Sequence, residues 1–133
     1  MIAGVADTHT ALWYLLTNPA LSIPARQFMD DAAAAGHEIL LSPVSLAEIV
    51  YLVEKNQLPE SAYHDLKKAI ADEDCVIGEA PFTAEIVDAM RRVPRLEVPD
   101  LPDRIVAATA IYCGVPIISR DSRIRAANLQ TVW

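Results

Sequence analysis

"MIAGVADTHTALWYLL", residues 1–16, holds two structural periods in one stretch, and the join between them decides the fold. Residues 2–6 are a short apolar run ended by an acid, Asp7, the form of a buried strand. "THTALWYLL" then carries apolar residues at helical spacing. A strand that feeds straight into a helix is the opening of an α/β unit, and the rest of the chain repeats the alternation. Asn18 and Pro19 break it, and "SIPARQFMDDAAAAG" reads as a second helix capped by Ser22 and stopped by Gly36. "HEILLS" is a second strand, followed by the helix "SPVSLAEIVYLVEK". "LPESAYHDLKKAIADED" is an amphipathic helix, "CVIGE" a third strand and "TAEIVDAMRRV" a helix started by Thr83. The Pro-rich connector "PRLEVPDLP" leads to the helix "DRIVAATAIYCG", the strand "VPIIS", a turn at "RDSR" and a final apolar segment, "LQTVW". This order predicts one α/β domain over residues 1–133, a three-layer α/β/α sandwich on a mainly parallel central sheet.

Composition agrees with a folded chain. With 133 residues, 53% of them apolar and 22% charged, it can bury a substantial core without disulfides or structural metal. Cys75 and Cys113 lack any CxxC spacing and read as buried free thiols, pointing to a reducing cytoplasm. No Lys or Arg precedes the first apolar stretch, which disfavours a secretory signal. Residues 8–25 carry no Lys, Arg, Asp or Glu, but Asn18, Pro19, Pro24 and several hydroxyls interrupt them, so no membrane span is expected. The net charge of −7 is a poor match to nucleic acid until its distribution is read. From residue 91 onward seven basic residues (Arg91, Arg92, Arg95, Arg104, Arg120, Arg123 and Arg125) stand against four acids. A basic C-terminal third beside an acidic site suits a phosphate backbone bridged by metal ions.

In open parallel sheets ligands bind beyond the carboxyl ends of the strands. Four acids fall at such positions: Asp7 after the first strand, Glu48 early in the helix after the second, Asp103 opening the late helix, and Asp121 just after "IIS". Each has a structural reading as well. Asp7 is placed to cap the helix at Thr8, Asp121 suits a turn, and Asp103 suits a helix first turn. Glu48 is the odd one, a carboxylate between Ala47 and Ile49 in a helix apolar on nearly every side. Capping is disfavoured because Pro43 makes Ser42 the natural cap, leaving Glu48 in the second turn. Snorkelling is disfavoured by Leu46, Ala47, Ile49, Val50, Leu52 and Val53, which leaves a cation partner. In "PDLPDR", Asp100 can cap and so free Asp103 to face a site. Four carboxylates at one sheet edge repel unless something positive lies among them. Mg²⁺ or Mn²⁺ fits that role, and paired dications hydrolyse phosphodiesters through activated water.

The stretches "VADTHTALWYLL", "SPVSLAEIVYL", "PDRIVAATA" and "GVPIISRDSRI", in this order and spacing, resemble the PIN domain, most closely its VapC branch, the toxins of bacterial toxin–antitoxin pairs. The likeness runs from Ile2 to about Leu129. It implies a PIN-like fold and an acidic set of Asp7, Glu48, Asp103 and Asp121 that holds Mg²⁺ or Mn²⁺ and carries catalysis, with Ser119 helping to order the site. It also implies a cytoplasmic endoribonuclease toxin of a type II system, an RNA substrate, a homodimer, and a cognate VapB-type antitoxin whose tail covers the site.

Two other classes remain open on the residues alone. One is a non-catalytic PIN-like module binding RNA or protein through a vestigial acidic site. The other is a phosphatase or receiver domain, disfavoured because His9 stands two residues after Asp7, where a phosphatase needs an acid, and because no Lys follows Lys68, where a receiver needs one. His9, His37 and His64 read as cap, turn and surface residues, and Trp13 and Tyr14 as core or interface. The helix from Val44 to Val53, apolar all round, is expected to be buried on more than one side and to help form a dimer.

Overall fold

The computed structural model describes residues 1–133. Five strands alternate with seven helices: β1 (Ile2–Ala6), α1 (Thr8–Leu15), α2 (Ile23–Ala34), β2 (Glu38–Leu41), α3 (Pro43–Glu54), α4 (Glu60–Ala71), β3 (Ile77–Glu79), α5 (Ala84–Ala89), α6 (Leu101–Cys113), β4 (Ile117–Ile118), α7 (Ser122–Ala126) and β5 (Thr131–Val132). The strands form one sheet in the order β3-β2-β1-β4-β5, and every pairing is parallel. The expected sandwich is present, with a wholly rather than mainly parallel sheet.

Period-two alternation divides β1, β2 and β4 between two cores, and β3 adds Ile77 to the first. Ala6, Ile39, Leu41, Ile77 and Ile118 join Leu12, Met29, Ile49 and Leu66 of α1–α4 on one face. Val5, Leu40 and Ile117 join Ile86, Val106, Ala110 and Ile124 of α5–α7 on the other. Burial on both faces is why the strands read as unbroken apolar runs.

The helix ends follow their sequence signals. Ser22 accepts from the Ala25 N–H, and Ser42, with Pro43 at the first helical position, accepts from Val44 N–H at 3.2 Å. Asp100 caps α6, which begins at Leu101, two residues before the expected start. Gly114 ends α6 at φ +67°, a left-handed conformation with no steric cost for glycine.

Three expectations are corrected. "RDSR" is the start of a helix rather than a turn: Asp121 caps α7 and Ile124, fully buried, anchors it. A five-residue helix shows only one apolar position to the core, too few to register as a period. The helix at 84–92 is α5 followed by a 3-10 turn, Met90–Arg92. Helix α3 packs against α1, α4 and α6 and is buried on more than one side as expected, with Val50 39% and Tyr51 66% exposed on its remaining face. Cys75 and Cys113 are free but only half-buried.

Arg104 leaves the basic group proposed for phosphate binding. Its Nη2 donates to the Met90 and Val93 carbonyls at 2.9 and 3.1 Å, closing the end of the 3-10 turn. Truncation of Arg104 to Ala strands both carbonyls, and chemical denaturation should register a loss of about 1–3 kcal/mol. An unchanged midpoint would contradict this structural role.

Candidate active site

The chain builds β1, β2 and β3 outward on one side of the sheet, then crosses back to lay β4 and β5 on the other side of β1. The reversal opens a crevice beyond the carboxyl ends of β1 and β4, the switch point at which such sheets take ligands. A cleft of about 620 Å³ lies here, and Asp7, Glu48, Asp103 and Asp121 all line it. The sequence separates these acids by up to 114 positions, and the parallel sheet brings their strand ends to one edge.

Asp7 is both cap and site residue, so its two readings were not alternatives. Its Oδ1 accepts from the Thr10 N–H at 2.9 Å and its Oδ2 from the Ser119 hydroxyl, while Thr10 Oγ1 donates to the Ile118 carbonyl at 2.9 Å. Ser119, fully buried, also accepts from the Asp121 N–H at 3.0 Å. One hydroxyl thus ties the end of β1 to the start of α7. Asp121 Oδ1 accepts from the N–H groups of Arg123 and Ile124 at 2.9 and 3.0 Å.

Glu48 is half-buried, and the buried Thr8 hydroxyl donates to its Oε1 at 2.7 Å. A protein donor therefore orients this carboxylate before any cation arrives, a partner the sequence reading lacked. Asp100 and Asp103 divide the labour as expected, Asp100 Oδ2 accepting from the Asp103 N–H at 3.1 Å. Asp100 nevertheless lines the cleft too, as a fifth and exposed carboxylate.

Burial pushes the Asp103 carboxyl up to about 7, and the neighbouring carboxylates of Asp100, Asp121, Glu48 and Asp7 push in the same direction. No opposing cation acts on it. Asp103 is electrostatically unsatisfied by the protein alone. The side chains do not close a cage, for no three His, Cys, Asp or Glu groups come together at metal-holding distance. An open cleft of carboxylate oxygens suits a hard dication that keeps several of its own waters, and not a tetrahedral ion gripped by nitrogen and sulfur.

Sequence reasoning did not assign Thr8, Trp13 or Ser122 to the cleft, and it grouped Arg120 and Arg123 only with the basic C-terminal third. Trp13 carries the Arg120 guanidinium over its ring at 4.6 Å from the centroid. These two lie 107 positions apart, and no local pattern links them. His9 is not a cap but an exposed first-turn residue at the cleft rim. Tyr14 bonds Asp30 at 2.7 Å, away from the cleft, and that bond, after burial, raises its hydroxyl to about 12.

This combination of sheet order, switch-point cleft and strand-end carboxylates defines the class. Residues 5–129 match the PIN domain family, and the chain belongs to it. Among its relatives, the ribonuclease VapC22 of Mycobacterium tuberculosis is 27% identical over 138 aligned positions, which span the whole of both chains. Two solved structures share the fold at 16% identity, each alignment covering 98% of this chain and 97% of the other. They are VapBC2 from Rickettsia felis bound to a promoter DNA fragment, with a TM-score of 0.68, and DNA-bound VapBC from Salmonella typhimurium, with a TM-score of 0.65.

The raised pKa of Asp103 fixes a pH dependence. The folded state holds this proton more tightly than the unfolded chain, so the group's contribution to stability is complete below about pH 4 and is lost as pH rises to about 7. In EDTA, thermal melts of the wild type should fall across that window. Asp103→Asn should flatten the fall and melt on the order of a few degrees higher at pH 8. Parallel curves for the two proteins would refute the assignment.

Proposed function

We propose that this chain is a metal-dependent endoribonuclease, the toxin of a type II toxin–antitoxin pair, acting as a single PIN domain over residues 1–133. The observation that carries the reading is the meeting of Asp7, Glu48, Asp103 and Asp121 in one cleft of a PIN-family chain. It is supported by the ribonuclease named among the relatives and by the VapBC complexes among its structural neighbours.

Asp7, Glu48, Asp103 and Asp121 would hold Mg²⁺ or Mn²⁺. When bound, the dication neutralises the scissile phosphate and makes water a competent nucleophile near neutral pH. The protein's contribution is orientation. Ser119 fixes the Asp7 carboxylate against β4, and Thr8 fixes Glu48, which aligns the attacking water and receives its proton. Asp103, desolvated and without an opposing charge, is the acid that would gain most from a cation, releasing its proton to solvent as the cation binds.

A VapB-type antitoxin is the proposed partner, its tail covering the cleft. The open face of α3, with Val50 and Tyr51 exposed, is the proposed seat of a homodimer. Cytoplasmic residence accords with two free thiols, and no helix is long and apolar enough to cross a membrane.

Asp7→Ala and Asp103→Ala should abolish RNA cleavage while leaving the circular dichroism spectrum intact, and EDTA should abolish it in the wild type. Ser119→Ala should cost about 10–100-fold in activity or metal affinity through the loosened Asp7. Full cleavage by either aspartate variant, or in excess EDTA, removes the mechanism, whereas no cleavage by the wild type in Mg²⁺ or Mn²⁺ leaves the non-catalytic binding module. Light scattering on the eluted protein tests the dimer, which a monomer mass would exclude.

A further inference from the structure

The far end of helix α6 forms one wall of a groove of about 360 Å³, and residues 128–130, which follow α7, form the other. Ala107, Ala110 and Ile111 of α6 line it together with Ile117 of β4 and Leu129, so its floor is apolar. Three polar side chains reach it, Arg92, Asn128 and Gln130, all on exposed residues. No Asp or Glu lines it. In a chain of net charge −7 that absence is informative, because the carboxylate cleft and three further hollows each carry at least one acid.

Both walls are fixed by the fold. Ala127 and Leu129 pack on the core that α5–α7 share, and the Gln130 carbonyl accepts from the Ile117 N–H at 2.9 Å. Arg92 belongs to the 3-10 turn that Arg104 clamps through the Met90 and Val93 carbonyls. Helix α6 ends at Gly114, which also lines the groove, so the negative end of its dipole lies there. A helix C-terminus disfavours an anion on the floor and favours a ligand that brings N–H donors. The amides of Asn128 and Gln130 suit the amino and ring-nitrogen edge of adenine, and uracil has no amino group to offer them. Arg92 then supplies a positive charge at the rim for a phosphate outside the groove. The volume, above the roughly 300 Å³ at which small-ligand pockets begin, admits such a ring.

Helix α7 separates this groove from the carboxylate cleft. Ser122 and Arg123 at its start line the cleft, and Asn128, two residues past its end, lines the groove. Its length is about 7–8 Å at 1.5 Å per residue, or about two steps of a stacked strand at 3.4 Å each. We propose that the groove between α6 and residues 128–130 seats one base of the RNA strand, adenine in preference to uracil, about two nucleotides or more from the bond cut in the cleft, with Arg92 on the adjoining phosphate. This inference rests on the nuclease reading and deepens it by assigning a specificity site outside the cleft. A base enters the groove only after leaving its stack, so the strand bound there is unpaired.

The test is binding, which needs no cleavage. Asp103→Asn protein in Mg²⁺ is titrated by fluorescence anisotropy against labelled single-stranded octamers of adenylate and of uridylate. The adenylate octamer should bind about fivefold tighter or more, the margin of one well-paired base edge. Adding Asn128→Ala and Gln130→Ala together should erase that margin. Arg92→Ala should weaken both octamers and lower the salt slope by about one, and Arg92→Lys should keep most of the binding. All three positions are exposed, and unchanged thermal midpoints report an intact fold. The inference is overturned if the two octamers bind equally to the unsubstituted groove. It is overturned too if the margin survives the paired amide substitutions, as it would were the base read in the cleft, or if Arg92→Ala leaves both octamers bound as before, as it would were the groove a seat for a protein partner. Failure of the nuclease reading looks different: wild type in Mn²⁺ leaves RNA intact, whatever the binding margin proves to be.

Discussion

The buried hydroxyl of Ser119 is the small hinge on which this site depends. It donates to Asp7 at the end of β1 and accepts from the Asp121 N–H at the head of α7, locking together two segments that are 112 residues apart. Carboxylates that repel one another would otherwise turn outward to water. Here the backbone N–H of Thr10 and the hydroxyls of Ser119 and Thr8 offset part of that negative charge and hold Asp7 and Glu48 inward.

The bracing is uneven, and the unevenness is chemically useful. Asp7, Glu48 and Asp121 each accept hydrogen bonds from the protein, whereas everything acting on Asp103 favours its protonated form. A site with one carboxyl near neutrality is less self-repulsive when empty and more responsive to a dication when filled. Folding and the proposed metal capture would therefore pull in opposite directions at Asp103, as expected of a functional site that departs from the stability optimum of its scaffold.

Arginine use shows the same division between scaffold and function. The sequence presents a basic C-terminal third as a single group, but the fold distributes it. Arg104 is consumed by two carbonyls of the 3-10 turn, Arg120 and Arg123 reach the cleft, and Arg91, Arg92, Arg95 and Arg125 remain exposed elsewhere. Charge counting over a segment could not make that distinction, because an arginine's role depends on which carbonyls and rings its long side chain meets.

The sequence by itself determined the alternation of strands and helices, the caps at Ser22, Ser42 and Asp100, and the four acids, since each of these is written in local periodicity or in a residue next to its own helix start. It left the open side of α3 undecided, for an apolar composition cannot say which face of a helix the fold leaves uncovered. Only the tertiary structure decided that β1 would sit between β2 and β4, and with those two neighbours came the Thr8 bond to Glu48 on one side and the Ser119 bridge and the Arg120–Trp13 pair on the other. These are contacts across 40 to 112 positions. They leave no period in the chain because they arise from strand order, and strand order is set by how whole layers pack.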